Sequence, residues 1–81
     1  MLSPITDARY VTNYIVRLRF NDGTEGEVDL FSELYGEVFE PLKEVDYYRK
    51  FQLHTELRTI VWPNGADFAA EFLRSLLKVA A

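Results

Sequence analysis

Cysteine is absent from this 81-residue chain, histidine and tryptophan occur once each, and only four glycines and three prolines interrupt it. Without cysteine no disulfide can brace the fold, and a single histidine with no thiol cannot make an ordinary structural zinc site. Apolar packing or a partner must therefore supply the stability. Long apolar runs are missing too: the longest covers about three residues, against the ~20 that a helical membrane span needs, so such a span is excluded. The opening Met1-Leu2-Ser3-Pro4 has no basic segment followed by an apolar stretch and is broken at once by proline. No export signal is read there, and a cytoplasmic location is the expectation.

What the chain does have is aromatic bulk. Six Phe, five Tyr and one Trp make up 15% of it, and each removes a large apolar area from water, which compensates for a core small in residue count. At this length one domain, residues 1–81, is expected, burying only roughly two thirds of the surface its unfolded chain exposes. The net charge is −4. Its cations, among them Arg17, Arg19, Lys43, Arg49, Lys50, Arg58 and Arg74, are scattered among carboxylates, and an unclustered set does not overcome the repulsion between an acidic surface and a phosphate backbone. Direct nucleic-acid binding is disfavoured.

From Tyr14 to Leu30 the pattern alternates with period two: Tyr14, Val16, Leu18 and Phe20 share one face, and Thr24, Gly26, Val28 and Leu30 share another. Opposed residues in an antiparallel pair point to the same face, so joining these two sets requires an odd number of loop residues. A three-residue loop, Asn21-Asp22-Gly23 with Gly23 left-handed, satisfies this and sets Phe20 opposite Thr24, Leu18 opposite Gly26 and Val16 opposite Val28. The same register sets Arg19 opposite Glu25 and Arg17 opposite Glu27, two pairs adding roughly a few tenths of a kcal/mol each. Glu25, Glu27 and Asp29 read as a solvated sheet face; a cation site there is opposed by the two arginines. Ahead of the hairpin, Ile5 to Val11 is strand-like, with Thr12-Asn13 as the turn into a strand starting near Tyr14, giving a three-stranded meander. Ile5, Ala8 and Tyr10 do not share one clean phase.

After Leu30 the period changes. Phe31, Leu34 and Tyr35, behind a Ser32 cap and ahead of Gly36, read as a short helical turn. Asp46 is placed to cap another turn bearing Tyr47, Tyr48 and Phe51. The aromatic density of this middle segment fits a stacking platform for single-stranded nucleic acid in principle, but the simpler reading is that Phe39, Tyr47 and Phe51 complete the core. His54 ends a short strand, Phe51 to His54, before the turn Thr55-Glu56-Leu57-Arg58. No sequence neighbour supplies both an orienting partner and a nucleophile, so it reads as a turn-edge side chain, and no catalytic or metal-ligating set is found.

The richest stretch is Thr59-Ile60-Val61-Trp62-Pro63-Asn64-Gly65-Ala66-Asp67. Its strand is apolar on both faces, which fits the interior of a sheet. Pro63 ends it, Asn64-Gly65 supplies a positive-φ turn, and Asp67 is placed to cap a helix whose apolar face is Phe68, Ala69, Phe72, Leu73, Leu76 and Leu77. Arg74 and Lys78 fall on the opposite face near the C-terminal end, where the helix dipole favours cations. The expected fold is therefore α+β: a small antiparallel sheet of four to five strands with short helical turns and one C-terminal amphipathic helix packed on it.

The hairpin with Phe20-Asn21-Asp22-Gly23-Thr24, the strand end Val28-Asp29-Leu30, the segment Val38-Phe39-Glu40-Pro41-Leu42 and the Thr59-to-Asp67 run together resemble the bacterial domain-of-unknown-function family 2442, over almost the whole chain. The resemblance implies little chemistry. Members of that family stand alone as short proteins or precede a helix-turn-helix domain, and some are encoded beside another small protein in arrangements like toxin-antitoxin pairs. With Ala81 shortly after the expected helix, the form without the DNA-binding extension is the expectation. Where the family commonly has glycine before its Thr-Ile-Val-Trp-like strand this chain has Arg58, which must then adopt a left-handed conformation.

Two functions are expected from these features. The first is a protein-interaction module, antitoxin-like or an accessory partner of a neighbouring gene product, with no cofactor, whose acidic charge suits masking of a basic partner; a homodimer is also open to it. Trp62, Asn64 and Asp67 are its candidate binding residues, although core, turn and cap roles account for them as well. The second is a small-ligand binding domain, in which the Trp62 ring and the Asn64 amide line a pocket between sheet and helix; this requires an accessible Trp62. An enzyme is the weakest reading, because no pair of carboxylates sits on apolar ground.

Overall fold

The computed structural model describes residues 4–77. Three strands, β1 (Ile5–Thr12), β2 (Ile15–Phe20) and β3 (Glu25–Asp29), form an antiparallel sheet in the order β1-β2-β3. The β2–β3 register pairs Val16 with Val28, Arg17 with Glu27, Leu18 with Gly26 and Arg19 with Glu25. Phe20 and Thr24 face each other across the loop through a 2.8 Å bond from the Phe20 N–H, and Gly23 has φ +88°. This is the register that hydrophobicity and charge jointly predict. On the outer face the ion pairs are shared differently: Arg17 reaches Glu25 diagonally at 2.9 Å and Glu27 at 3.8 Å, taking both carboxylates itself.

The irregular phase of the first strand has a structural cause. The register shifts by one residue between Ile5 and Asp7, and this β-bulge lets Ile5, Ala8 and Tyr10 oppose Phe20, Leu18 and Val16 and turn toward the same core. The β1–β2 turn is Asn13-Tyr14 rather than Thr12-Asn13, because Asn13 takes the left-handed conformation (φ 49°) and Thr12 pairs with Ile15.

The middle segment docks as short turns. Phe31–Glu33 and Glu40–Lys43 are 3₁₀ turns, and α1 is the single helical turn Val45–Tyr48. Ser32 lies inside its turn; Leu30 is at the N-cap with no side-chain bond, and Asp29 ahead of it accepts the Phe31 N–H on its Oδ1 at 3.0 Å. Asp46 likewise sits inside α1, with Glu44 at the N-cap and no side-chain bond there. The expected Phe51-to-His54 strand shortens to β4 (Gln52–Leu53), paired with β5 (Ile60–Val61) in a separate two-stranded sheet.

The strand around Trp62 is thus enclosed on both edges without entering the meander. Thr59 and Val61 bond toward β4, while Trp62 donates to the Ala66 carbonyl at 2.9 Å on the other edge, where Val61 bridges Asp67. Asp67 is taken up by that bridge and lies two residues ahead of the N-cap position, Ala69, so it does not cap. Helix α2 begins only at Ala70, with Ala69 at the N-cap and no side-chain cap, and runs six residues, Ala70–Ser75. Its buried residues are Ala70 and Leu73, and Phe72 is exposed; the single broad apolar face from Phe68 to Leu77 does not form. The expected Lys78 lies outside the described residues.

One core joins these parts, and Tyr48 is at its centre, with no exposed surface. Its ring meets Tyr10, Tyr14 and Phe51 edge-on and Trp62 at a tilt, at centroid distances of 5.2–6.4 Å. Its hydroxyl donates to the Tyr14 carbonyl at 2.7 Å, and its own carbonyl accepts the Trp62 indole N–H at 2.8 Å. Burial raises the Tyr48 phenol above its ordinary range, with the Asp29 charge adding to the effect. Phe39, Tyr47 and Phe51, the expected core rings, pack around this centre half-buried. Replacing Tyr48 by Phe keeps the packing and deletes one buried hydrogen bond, so the unfolding free energy should fall by about 1 kcal/mol, whereas Tyr48→Ala should cost about 3–5 kcal/mol. Urea titration of both variants measures the difference.

Candidate functional site

The residues singled out around Trp62 are each placed by local backbone demands. Trp62 is 2% exposed and its only polar atom is satisfied by Tyr48, so its ring offers nothing to solvent. Asn64 sits in the turn between Pro63 and Gly65, which takes φ +90°. Its side-chain carbonyl accepts the Ala66 N–H at 3.0 Å, and its amide donates 2.9 Å to the carbonyl of Val38. Asn64 therefore ties this turn to the middle segment, 26 residues away in the chain. Asp67 is exposed beside it, on the bridge to Val61. The next residue, Phe68, turns inward. Its carbonyl accepts from the buried Thr59 hydroxyl at 2.6 Å.

These positions lead to a surface feature that sequence spacing did not reveal. Phe39, Phe68 and Phe72 form a ladder of near-parallel rings, with centroids 4.8 Å and 5.8 Å apart and interplanar angles of 24° and 20°. Phe68 is buried, Phe39 is half-buried, and Phe72 remains 38% exposed, as does the neighbouring Val38 at 50%. The Phe68–Phe72 spacing of four was legible as a helical neighbour pair. Phe39 was not, because its approach depends on the Asn64–Val38 bond.

Charge is organised separately. Arg74, expected on a solvated helix face, turns back across Phe20, its guanidinium 5.2 Å from the ring centroid, and bonds Asp22 at 2.8 Å and the Thr24 hydroxyl at 3.0 Å. It pins α2 to the tip of the β2–β3 hairpin. The Arg74 bond, followed by the Thr24 backbone and hydroxyl, holds the Asp22 carboxyl well below the usual carboxylate range. Arg17 lowers Glu25 in the same way. At His54 the ring Nδ1 accepts the N–H groups of Glu56 and Leu57, both at 3.1 Å; it caps its turn. Arg58 closes that turn at φ 56°, donating to the His54 carbonyl and accepting from Ile5 N–H.

Concave space is shallow. One depression of about 270 Å³ is lined by Lys50, Gln52, Val61, Trp62 and Pro63. Another of about 230 Å³ lies between Pro4, the turn Glu56-Leu57-Arg58 and the start of α2 at Ala70 and Glu71. Neither brings an acid, a base and a nucleophile together. Among the described residues no three His, Cys, Asp or Glu side chains gather as a metal site, and no helix is long and apolar enough to cross a membrane.

The architecture defines a small α+β domain in which a three-stranded meander and a two-stranded ribbon share one aromatic core. Over residues 5–78 the chain matches the model of the family described as "Protein of unknown function (DUF2442)", and it belongs to that family. No curated protein and no solved structure matches it.

Two substitutions separate charge from conformation here. Because the folded Asp22 carboxyl is held below its unfolded value, its contribution is present above the ordinary carboxylate range and is lost as pH falls through and beneath it. Asp22→Asn should therefore melt below wild type at neutral pH, and the gap should close as the solution is acidified below about pH 4. Arg58→Gly should raise stability by roughly 1 kcal/mol or less, since both main-chain bonds survive and the left-handed penalty disappears, partly offset by the freer unfolded chain. Chemical denaturation reads this directly.

Proposed function

We propose that this chain is a non-catalytic protein-interaction module of the bacterial cytoplasm, an antitoxin-like or accessory partner of a neighbouring gene product, which acts by covering a partner's surface. The observation that carries the reading is the pairing of exposed large apolar side chains, Phe31, Tyr35, Val38, Leu57 and Phe72, with an acidic chain of net charge −4. Exposed rings among carboxylates suit a partner that is cationic and partly apolar. The family's gene arrangements support the same reading. A small-ligand binding domain is the alternative, served by the depression at Lys50, Gln52 and Pro63. It is weakened by a Trp62 ring that is buried and an Asn64 amide already engaged with Val38.

Co-expression with the chromosomal neighbours, gentle affinity purification and light scattering test the proposal. A second protein travelling at fixed stoichiometry is the expected result. Elution as a lone monomer or dimer would sink it and turn attention to ligand screening.

A further inference from the structure

The phenylalanine ladder brings partly open apolar residues onto one buried support: Phe72 is exposed, Phe39 is half-buried, and Phe68 between them is buried. Phe39, Phe68 and Phe72 stack in sequence from the middle segment to α2, and Val38 is held beside them by the Asn64 amide. Carboxylates flank every rung in the chain: Glu37 and Glu40 beside Val38 and Phe39, Asp67 beside Phe68, and Glu71 beside Phe72. The nearby cations are already engaged, Lys43 on the flanking Glu40 itself and the others away from the ladder. Lys43 pairs with Glu40 at 3.3 Å, Lys50 lies over Tyr47, Arg49 over Tyr10, and Arg74 over Phe20 with its charge on Asp22. No cation among the described residues pairs with Glu37, Asp67 or Glu71.

We propose that this ladder is the docking strip for a cationic amphipathic helix of a protein partner, whose apolar side chains at helical spacing lie on Phe72, Phe39 and Val38 while its Lys and Arg residues reach the flanking carboxylates. The inference rests on the interaction-module reading and names its surface. Charge selects the occupant. A second copy placed on the strip would bring the same carboxylates face to face, and anionic lipid or nucleic acid would meet the same repulsion. A basic helix satisfies both components of the surface, the apolar rungs by burial and the rim by long-range attraction.

The test uses the full-length chain and a fluorescein-labelled model peptide of Leu and Lys arranged as an amphipathic helix about four turns long. Saturable anisotropy, with binding weakened by salt, is expected for wild type. Phe72→Glu should weaken it by about tenfold or more, with a cooperative melt and a native circular-dichroism spectrum at the assay temperature as the check on folding, since loss of the Phe68 stack lowers the midpoint by roughly several degrees without unfolding the chain. Val11→Ser, which removes an exposed apolar residue on β1, should bind as wild type does. Reversing the rim with Glu37→Lys and Glu71→Lys should weaken binding while leaving the ladder intact, and the same peptide with Glu in place of Lys should not bind wild type.

Equal binding by wild type and Phe72→Glu, or no saturable binding at all, would overturn the proposal. So would a wild-type mass twice that of Phe72→Glu, which would make a second copy the occupant. The interaction-module reading is judged separately, by co-purification. A partner that travels equally well with the Phe72→Glu chain would leave that reading standing and remove the ladder from it.

Discussion

The fold depends on one helical turn delivering one side chain. Tyr48 donates its hydroxyl to the Tyr14 carbonyl in the meander and offers its backbone carbonyl to the Trp62 indole at the end of the ribbon, so two small sheets with no shared strand are clamped at this residue, alongside the main-chain bond from Ile5 to Arg58. The two-stranded ribbon has too few strands to be stable alone, and the meander needs its apolar face covered. The clamp is closed from the other side by the Tyr14 hydroxyl, which donates to the Lys43 carbonyl just ahead of α1. The position of α1, four residues long and without a side-chain cap, is thus explained by tertiary hydrogen bonds and ring packing, since its own propensity is too small to hold it.

Legibility in the sequence followed how many independent signals agreed. The β2–β3 register could be read because apolar alternation, opposed charges and the parity imposed by Asn21-Asp22-Gly23 all required the same alignment. Arg58 could be read as left-handed only through the resemblance, from the glycine that the family commonly has at that place. Single-residue capping signals failed: Ser32, Asp46 and Asp67 each looked like an N-cap, yet Asp29 and the Val61–Asp67 bridge had already determined the local backbone. A capping side chain contributes about 1 kcal/mol, which a bridge, a buried Thr59–Phe68 bond and a packed Phe68 together outweigh. The bulge near Thr6 was visible only as a phase that would not close. Of the candidate site, the turn role of Asn64 was legible, but its reach to Val38 was not, because nothing local couples positions so far apart in the chain.

Arginine placement explains why the molecule is acidic unevenly. Arg17 serves Glu25 and Glu27, and Arg74 serves Asp22, so three of the carboxylates around the meander are compensated. Both arginines are partly covered, and each does more than balance charge. Arg17 holds the outer face of β2 against β3, and Arg74 carries α2 back over Phe20. The bidentate approach of Arg74 to Asp22, 3.3 Å and 2.8 Å from its two terminal nitrogens, is a geometry that lysine cannot reproduce. Glu37, Asp67 and Glu71, with no cation paired to them among the described residues, set the character of the surface they occupy.

That distribution also bears on why a ring as large as Phe72 can remain partly in water. A lone exposed phenylalanine gives up most of its burial energy, but in the ladder one face of Phe72 lies against Phe68, whose other contacts include Phe39 and the edge of Trp62. Near-parallel pairs of this kind add about 0.5–1.5 kcal/mol beyond their area, so the outer rung is held by the inner ones and the strip keeps its shape with no partner present. The backbone supports this rigidity: the Phe68 carbonyl is bonded by the Thr59 hydroxyl, Asp67 before it is bridged to Val61, and Val38 is held by Asn64. A helix starting at Asp67 would have carried Phe68 round the helix axis and broken the stack with Phe39. The missing cap at Asp67 and the exposed ladder are consequences of the same two-residue bridge, which makes the late start of α2 the feature that shapes this surface.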